Sequence, residues 1–213
     1  MATEILNLHP ETPELRKISK VADFLRDGGV ILYPADTGFC LGCNLSNKEA
    51  IARIRSIRRL PENKEMTFLC DTLSNIAEFA KVSNSAYKTI KRLIPGPFTF
   101  ILPASKQVPK FAQNPRRNTA GIRVPENVLA QLLLKELETP MISISAVPRE
   151  EMMGSDPDEI IRRLAPQVDI AVSSSIYDFA GPSTVIDMTD EEFKVIRAGA
   201  EAEFAQSMLP EAV

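Results

Sequence analysis

The stretch GGVILYPADTGFCLGCN, from Gly28 to Asn44, decides the fold. Gly28 and Gly29 end the amphipathic helix that the apolar spacing predicts over 13–27, since glycine after a periodic run is a common helix stop. The β-branched and aromatic run from Val30 to Tyr33 then predicts a strand, which we expect to end at Pro34 because proline cannot donate to a sheet. A buried strand that directly follows a helix indicates a protein in which helices pack on a sheet.

Outward from this stretch, the other hydrophobic patterns interleave strands and helices. Short β-branched or aromatic runs predict strands at 4–8 (an edge strand), 66–70, 98–102, 119–124, 141–146, 168–172, 183–188 and 193–197. Amphipathic runs predict helices at 46–59, 74–79, 84–93, 127–137 and 156–166. Ser46 and Glu49 have capping-box spacing, and Pro157 suits a first helical position. Because several strands follow one another late in the chain, we expect an α/β fold with a twisted mixed β-sheet and packed helices, in one domain over 1–213.

Composition places the chain among ordinary water-soluble domains. No stretch approaches the roughly 20 apolar residues that span a bilayer, and the N-terminal sequence lacks the basic and apolar regions of a signal peptide. A chain of 213 residues buries enough surface to be stable without disulfides or a structural metal. We therefore expect a cytoplasmic protein with no membrane partner.

The net charge of −3 conceals a marked asymmetry. Residues 79–125 contain nine Lys or Arg and no Asp or Glu, whereas 126–213 contain seventeen acids and six bases. An acid-free basic block attracts phosphates, although such a block can also be a solvated face whose balancing acids lie nearby in space. Within it, the long polar connection 103–118 suggests a functional loop, and its basic residues are candidates for RNA contacts: Lys106, Lys110, Arg116 and Arg117.

The residue types exclude several kinds of chemistry. His9 is the only histidine and precedes a proline, so we do not expect a Ser-His-Asp or Cys-His catalytic site. We interpret His9 as a turn residue. Cys40 and Cys43 have C-x-x-C spacing, but with Cys70 as the only other thiol we favour buried packing cysteines and predict no metal site. The chain also has neither glycine-rich phosphate-binding motif.

Phosphate binding must therefore come from arginine, lysine and hydroxyl side chains at the ends of predicted elements. Arginine can grip phosphate oxygens bidentately, and hydroxyls can donate further bonds or help to ligate Mg²⁺. Asp36 could take a metal or an ammonium group. We predict catalytic roles for Asp36, Thr37 and Arg58, and nucleotide or substrate binding by Lys64, Arg123, Ser143, Ser145, Ser183 and Arg197. Together they suit phosphoryl or adenylyl transfer, which depends on positioning and charge stabilisation.

These residues lie in seven segments that resemble the YrdC/YciO family in order. GGVILYPADTGFCLGCN is similar to the family pattern of two glycines, three apolar residues, Pro-Thr-[Glu/Asp]-Thr and, further on, Tyr-Gly-Leu-Gly. The other segments are 58–69, PGPFTFIL (95–102), GIRVP (121–125), SISA (143–146), GPSTVID (181–187) and RAG (197–199). One such segment is weak evidence, but seven in the same order over about 14–200, the expected core of the domain, are specific.

The resemblance implies a YrdC-type sheet lining a large basic concavity, and a link to tRNA. The YrdC branch makes threonylcarbamoyl-adenylate from ATP, threonine and bicarbonate, with release of pyrophosphate, for the t6A modification at tRNA position 37. Family members are also described as binding double-stranded RNA. The implied partners are therefore ATP (as a substrate) or an AMP-like nucleotide, threonine and RNA or tRNA, with Mg²⁺ accompanying the ATP.

Three positions depart from the family pattern. Ala35 replaces the first threonine of the strand-end motif, Leu60 falls where the family's Lys-x-Arg has arginine, and Val147 falls where its Ser-x-Asn has asparagine. This pattern resembles the YciO branch. Three functions stay open: a threonylcarbamoyl-AMP synthase-like enzyme, a non-catalytic binder of double-stranded RNA or tRNA, or a divergent enzyme acting on a threonylcarbamoyl compound.

Overall fold

A computed structural model describes residues 3–61, 66–114, 116–148, 151 and 156–210. Within those ranges ten strands form one sheet in the order β1-β8-β2-β3-β7-β4-β6-β5-β9-β10. The strands are β1 (Glu4–Leu8), β2 (Ile31–Ala35), β3 (Gly38–Asn44), β4 (Thr67–Leu69), β5 (Phe98–Pro103), β6 (Thr119–Arg123), β7 (Met141–Ser145), β8 (Ile170–Ser174), β9 (Thr184–Asp187) and β10 (Lys194–Arg197).

Seven α-helices of the described chain pack against this sheet. They are α1 (Leu15–Arg26), α2 (Lys48–Ile57), α3 (Leu73–Phe79), α4 (Asn84–Leu93), α5 (Val128–Leu137), α6 (Pro157–Leu164) and α7 (Ala202–Met208), with short 3₁₀ helices at Lys110–Ala112 and Ala165–Gln167. None of the helices in the described ranges is long and apolar enough to cross a membrane.

The sheet is mixed, as the sequence predicts. The pairs β1/β8, β2/β8, β4/β6 and β5/β9 are parallel, whereas β2/β3, β3/β7, β4/β7, β5/β6 and β9/β10 are antiparallel. β1 forms one edge of the sheet, which confirms the prediction of an edge strand at 4–8.

The two faces of the sheet are covered unequally. One face carries a core that includes Leu41, Phe68 and Ile122 and is closed by apolar side chains of α2, α3, α4, α6 and α7. The opposite face is covered by α1 and α5, whose apolar residues pack on the half of the sheet that contains β1, β8, β2 and β3. The strands beyond β3 keep part of this second face open, and that open face becomes the wall of the site.

Two local predictions need correction, and one helix was missed. Pro34 lies inside β2 rather than ending it, because the ladder between β2 and β8 stops at Leu32 and no longer needs a donor there. The cap of α2 is Asn47, whose side chain accepts from the Ala50 N–H, and not Ser46. Helix α7 was not predicted, since Ala205 is its one buried residue and no side chain caps its start.

Candidate functional site

A cavity of about 420 Å³ opens on the uncovered face of the sheet. Seven strands that follow one another across the sheet supply its walls, namely β3, β7, β4, β6, β5, β9 and β10, together with the end of α2 and the segment before β9. The lining residues are Thr37, Cys40, Arg58, Leu60, Met66, Thr67, Leu69, Thr99, Ile101, Gly121, Arg123, Ser143, Ile144, Ser145, Val147, Pro182, Ser183, Val185, Ile196 and Arg197.

Strand register explains why these residues meet. Thr67 of β4 pairs with Ser143 of β7 on one side and with Gly121 of β6 on the other, and Gly121 pairs with Ile101 of β5. Paired residues point to the same side of a sheet, and side chains alternate along each strand. The four strands therefore present one continuous row to the cavity, while Phe68 and Ile122 of the same strands point into the core on the other face.

The cavity is positively charged. Three arginines line it, from the end of α2, from β6 and from β10, and the described lining residues include no Asp or Glu. Hydroxyl groups from β4, β5 and β7, from the segment before β9 and from the β2–β3 turn lie among them. A concave wall with charge of one sign focuses its field, so the cavity favours an anion.

Arg58 reaches the cavity through the way α2 ends. Arg59 takes a left-handed conformation (φ 50°), the Arg59 N–H donates to the Ser56 carbonyl at 3.1 Å, and the Leu60 N–H donates to the Arg55 carbonyl at 2.9 Å. This pair of bonds is a Schellman motif, which turns the chain sharply after a helix. The turn brings both Arg58 and Leu60 to the cavity wall.

The Arg58 guanidinium is half-buried and its Nε donates to the Ser145 carbonyl oxygen at 2.7 Å. This burial lowers the pKa of Arg58 from its ordinary value, a shift that Glu151 opposes and Arg163 adds to. Arginine nevertheless stays charged in proteins. Arg58 is therefore a cation whose position is fixed by its bond to β7. Its two terminal nitrogens take no part in that bond.

Arg123 is the most buried of the three arginines, with 5% of its side chain exposed. Its guanidinium donates to the Asp36 carboxylate, to Thr37 Oγ1 at 2.8 Å and to the Gly96 carbonyl at 3.2 Å. Asp36 also accepts from the Glu126 N–H at 3.1 Å. Asp36 and Thr37 form the tip of the β2–β3 hairpin, which therefore clamps Arg123 in place.

Arg197 lies at the opposite side of the cavity, on the edge strand β10. Its Nη2 donates to the Ser183 carbonyl at 2.8 Å and to Ser183 Oγ at 2.9 Å. The Ser183 hydroxyl is also 2.9 Å from Thr99 Oγ1. Arg197, Ser183 and Thr99 thus form one connected polar group that faces the cavity.

The remaining hydroxyls are also held in place. Ser143 Oγ lies 2.7 Å from the hydroxyl of the fully buried Tyr33, and Ser145 Oγ donates to the Val147 carbonyl at 3.0 Å. Cys40 lies beside them, and burial raises the pKa of its thiol to about 11. Because a nucleophilic cysteine needs its thiolate form, Cys40 is a wall residue at neutral pH.

Seven of the nine predicted catalytic and nucleotide- or substrate-binding residues line this one cavity: Thr37, Arg58, Arg123, Ser143, Ser145, Ser183 and Arg197. Asp36 lies behind the wall, paired with Arg123, and Lys64 falls outside the described residues. Sequence reasoning missed Thr99 and Thr67, which a period-2 reading of β5 and β4 would have placed on the cavity face.

The two cysteines of the C-x-x-C segment lie on opposite faces of the sheet. Cys40 packs in the core with α1 and α5, whereas Cys43 packs in the core on the other face. Three positions along a strand reverse the direction of the side chain, so the two sulfurs point apart. No group of three or more His, Cys, Asp or Glu that could hold a metal occurs among the described residues.

The four basic residues predicted to contact RNA are all exposed in the connection between β5 and β6. Arg117 donates from Nη2 to the Asp187 carboxylate at 2.8 Å and to Thr189 Oγ1 at 3.3 Å. The Asn114 side chain accepts from the Arg116 and Arg117 N–H groups, which fixes the course of the chain there. These four residues therefore present their charge outside the cavity.

A family model described as telomere recombination, which covers Sua5, YciO and YrdC proteins, matches residues 23–199. A protein of Haemophilus influenzae is 42% identical over 200 residues, which are 93% of this chain and 96% of the relative. The Escherichia coli protein YciO is 41% identical over 198 residues, covering 92% and 96%. These matches confirm the resemblance that the seven sequence segments carry.

Solved structures agree with these sequence matches. The crystal structure of E. coli YciO superimposes with a TM-score of 0.85 at 40% identity, over 92% of this chain and 96% of that one. The structure of P. abyssi Sua5 in complex with L-threonine superimposes with a TM-score of 0.84 at 25% identity, over 97% of this chain and 62% of that one. The fold is thus that of YciO over nearly its whole length and of about three fifths of Sua5.

Proposed function

The chain belongs to the Sua5/YciO/YrdC family, and from that premise we propose that it is a threonylcarbamoyl-AMP synthase-like protein. In this proposal the cavity binds ATP, L-threonine and bicarbonate. The products are threonylcarbamoyl-adenylate, pyrophosphate and water, and the adenylate serves t6A modification of tRNA in the cytoplasm.

The observation that carries the proposal is the charge of the cavity. Arg58, Arg123 and Arg197 converge from three elements on one concave wall that has no described carboxylate. Adenylyl transfer to a carboxylate-type nucleophile brings two anions together, so its first requirement is positive charge that offsets their repulsion. Donors that are already fixed in position cost little reorganisation during the reaction.

The chemistry assigns a task to each group of residues. Threonine and bicarbonate combine to a carbamate with loss of water, one carbamate oxygen attacks the α-phosphorus of ATP, and the bond to the β-phosphate oxygen breaks to release pyrophosphate. Arg58 and Arg197 are the partners for the phosphates, since both are less buried than Arg123. Ser143, Ser145 and Ser183 supply hydroxyl donors, and Thr37 orients Arg123.

Mg²⁺ belongs to the substrate in this proposal. Asp36 is paired with Arg123 and does not line the cavity, so the described wall offers no carboxylate to a resident metal ion. Mg²⁺ usually keeps several waters and binds phosphate oxygens, so it would enter bound to the triphosphate.

L-threonine as a ligand rests on the structural neighbour. P. abyssi Sua5 has been crystallised with L-threonine, and this chain shares its fold over 97% of its own length. Arg123 is the arginine best suited to a small carboxylate ligand, because it is deeply placed and held by Asp36, Thr37 and Gly96.

A second candidate, a divergent enzyme that acts on a threonylcarbamoyl compound such as the modified tRNA, is favoured by Leu60 and Val147. Both residues line the cavity, so the two departures from the family's polar pattern lie in the site itself. A valine can neither donate nor accept where an amide would do both. A site with fewer polar contacts to a triphosphate is compatible with a reaction that brings no triphosphate into the cavity.

The direct test is an incubation with ATP, Mg²⁺, threonine and bicarbonate, followed by mass spectrometry for threonylcarbamoyl-adenylate and a pyrophosphate assay, with an active YrdC-type enzyme in parallel. We expect product well above the uncatalysed background. Arg58→Ala and Arg197→Ala should each weaken nucleotide binding about ten- to hundred-fold, the scale of a charge-assisted hydrogen bond. Arg16→Ala, the same change on the exposed face of α1, should leave it unaltered.

Absence of product while the parallel enzyme works would refute the synthase proposal. Incubation with t6A-containing tRNA without ATP then tests the second candidate, and release of threonylcarbamate or its breakdown products would support it. If the tRNA binds but is not changed, a steep salt dependence that Lys106→Ala reduces would indicate the RNA-binding function of the β5–β6 loop. An unchanged salt slope would exclude that loop as the RNA contact.

A further inference from the structure

A second cavity, of about 350 Å³, lies at the other end of the sheet. We call it the strand-end groove. Its lining residues are Leu8, His9, Pro10, Glu11, Pro34, Ala35, Asp36, Glu126, Asn127, Val128, Leu129, Val172, Ser173, Ser174, Ile176, Tyr177, Asp178 and Phe179. Asp36 is the residue that connects the two cavities, because its partner Arg123 lines the first one.

The groove lies where a sheet of this kind is suited to bind ligands. Strands β1, β8 and β2 are parallel neighbours, and the groove is built from residues at their carboxyl ends. Helix α1, which follows β1, packs on one face of the sheet, whereas Tyr177 and Phe179 of the segment that follows β8 pack against the core on the other. A crevice outside the carboxyl ends of strands whose connections leave to opposite faces is the common ligand position in open α/β sheets.

The inner wall of the groove is apolar. Pro34, Leu129, Val172 and Phe179 contribute to it, and Ile176 at its mouth is 67% exposed. A volume of this size and an apolar wall with a few polar groups are typical of small-molecule sites.

The charged side chains of the groove are all acidic. Four carboxylates, from Glu11, Asp36, Glu126 and Asp178, line it, and its described lining residues include no Lys or Arg. The sign of the charge is thus opposite to that of the first cavity.

Two buried oxygen atoms in the wall lack a partner. Asp36 Oδ1 and Ser174 Oγ have no hydrogen bond within the described chain. Both oxygens are out of reach of solvent, so they show unused acceptor capacity behind the wall and not contacts that a ligand would make directly. The accessible charges are the exposed carboxylates of Glu11, Glu126 and Asp178, so the ligand that suits the groove carries positive charge.

We propose that the strand-end groove is a binding site for a small organic cation, namely a primary amine or guanidine joined to an apolar body. The charged head lies against the exposed rim carboxylates of Glu11, Glu126 and Asp178, and the apolar body lies against the inner wall. This site is separate from the anion-binding cavity and does not depend on the reaction proposed for it.

Phenethylamine is a suitable probe because it combines an ammonium group with one aromatic ring, and 3-phenylpropionate has a similar body with the opposite charge. Titration of ¹⁵N-labelled protein followed by NMR locates the binding. We expect phenethylamine to shift the amide signals of Val172, Ser174 and Tyr177 with millimolar or tighter affinity, and 3-phenylpropionate to leave them unchanged.

Variants at the exposed rim test the assignment without disturbing the fold. Glu11→Gln and Asp178→Asn should each weaken phenethylamine binding about two- to five-fold, the range of a solvent-exposed charge contact, and the double variant more than either. Glu203→Gln removes the same charge on α7, at the far side of the sheet, and should have no effect.

Three results would overturn the proposal. The first is no shift of the groove amides at about 10 mM phenethylamine. The second is equal binding of 3-phenylpropionate at the same amides. The third is a loss in Glu203→Gln as large as that in the rim variants, which would indicate general attraction by the acidic surface. The catalytic assay has no part in any of these outcomes, so failure here and failure of the synthase proposal can be told apart.

Discussion

Replacing Arg123 by alanine removes the central member of a buried polar group. The side chains of Arg123 and Asp36 are 5% and 11% exposed, and their ion pair joins the tip of the β2–β3 hairpin to β6, a strand that is next to neither β2 nor β3 in the sheet. The substitution also removes the donors to Thr37 Oγ1 and to the Gly96 carbonyl. What remains is a carboxylate that keeps one bond, from the Glu126 N–H, while its Oδ1 has no partner in the described chain.

The expected loss in the free energy of unfolding follows from the unpaired charge of Asp36. Removing one partner of a buried ion pair costs about 3–5 kcal/mol, because the other charge stays buried and uncompensated. An exposed pair such as Lys20–Glu4, whose side chains are 45% and 42% exposed, contributes about 0–1 kcal/mol. We therefore expect Arg123→Ala to lower the free energy of unfolding by about 3–5 kcal/mol and Lys20→Ala by less than about 1 kcal/mol. Against a typical stability of 5–15 kcal/mol, the first loss is a large share.

Urea unfolding at neutral pH, followed by circular dichroism, measures these values for the parent, Arg123→Ala, Asp36→Asn, their double variant and Lys20→Ala. Since Asp36→Asn removes the unpaired charge, the double variant should be clearly more stable than the sum of the two single losses predicts. The reasoning is refuted if Arg123→Ala costs less than about 1 kcal/mol, or if the two single losses add.

The remaining predictions concern separate parts of the structure. Gly199→Ala should lower the melting temperature by several degrees, because a Cβ there would clash with two carbonyl oxygens of the segment before β9, and an unchanged melting temperature would contradict this. Iodoacetamide at about pH 8 should leave Cys40 of the folded protein unmodified, since burial raises the pKa of its thiol to about 11; peptide mass spectrometry after native and urea-unfolded labelling distinguishes the outcomes. Burial opposes ionisation of Asp187, yet hydrogen bonds from Thr189 and Arg117 lower its pKa overall, so its contribution to stability is present above the unfolded-state value of about 3.9 and lost as the pH falls through the folded-state value. The stability difference between the parent and Arg117→Ala should therefore shrink on acidification below about pH 4, and a difference that grows would exclude this explanation.

Local patterns predicted the elements of this fold well because each pattern has a local cause. The helix predicted at 84–93 matches α4 residue for residue, and Ser83 caps it by accepting from the Ala86 N–H. The strand predicted at 4–8 coincides with β1. Helix α7 has no such signal, because Glu201 at its start has a left-handed conformation and makes no side-chain cap.

The order of the strands could not be derived from the same patterns. Neighbours such as β8 and β2 are far apart in sequence, and apolar periodicity says which face of a strand is buried but not which strand lies beside it. The resemblance to known family members supplied the concave sheet, and the three-dimensional structure supplied its register.

In the candidate site, too, local patterns predicted residue types but not long-range contacts. Chain order could not show that the Asp36 carboxylate faces Arg123, 87 positions further along, and it therefore predicted a free carboxylate for a metal or an ammonium group. The basic residues Lys106, Lys110, Arg116 and Arg117 likewise belong to the acid-free block of the sequence but lie outside the cavity. Hydroxyl and arginine residues at strand ends were nevertheless found by residue type alone, because the ends of neighbouring strands meet at one place.

The charge of the cavity and the polarity of its wall favour different ligands, and that difference bears on function. Arg58, Arg123 and Arg197 keep the cavity attractive to anions, but part of the donor capacity of each is already used by a carbonyl, a hydroxyl or a carboxylate of the protein. Leu60 and Val147 add apolar wall where further donors would be needed to hold a fully charged triphosphate.

A cavity of this composition should discriminate less between a nucleoside triphosphate and a monophosphate than one with additional cations, because the extra phosphates gain few contacts. The ratio of the dissociation constants for ATP and AMP therefore reports on the reaction class. A ratio near one favours a substrate with a single phosphate or carboxylate. A much lower dissociation constant for ATP than for AMP favours adenylyl transfer.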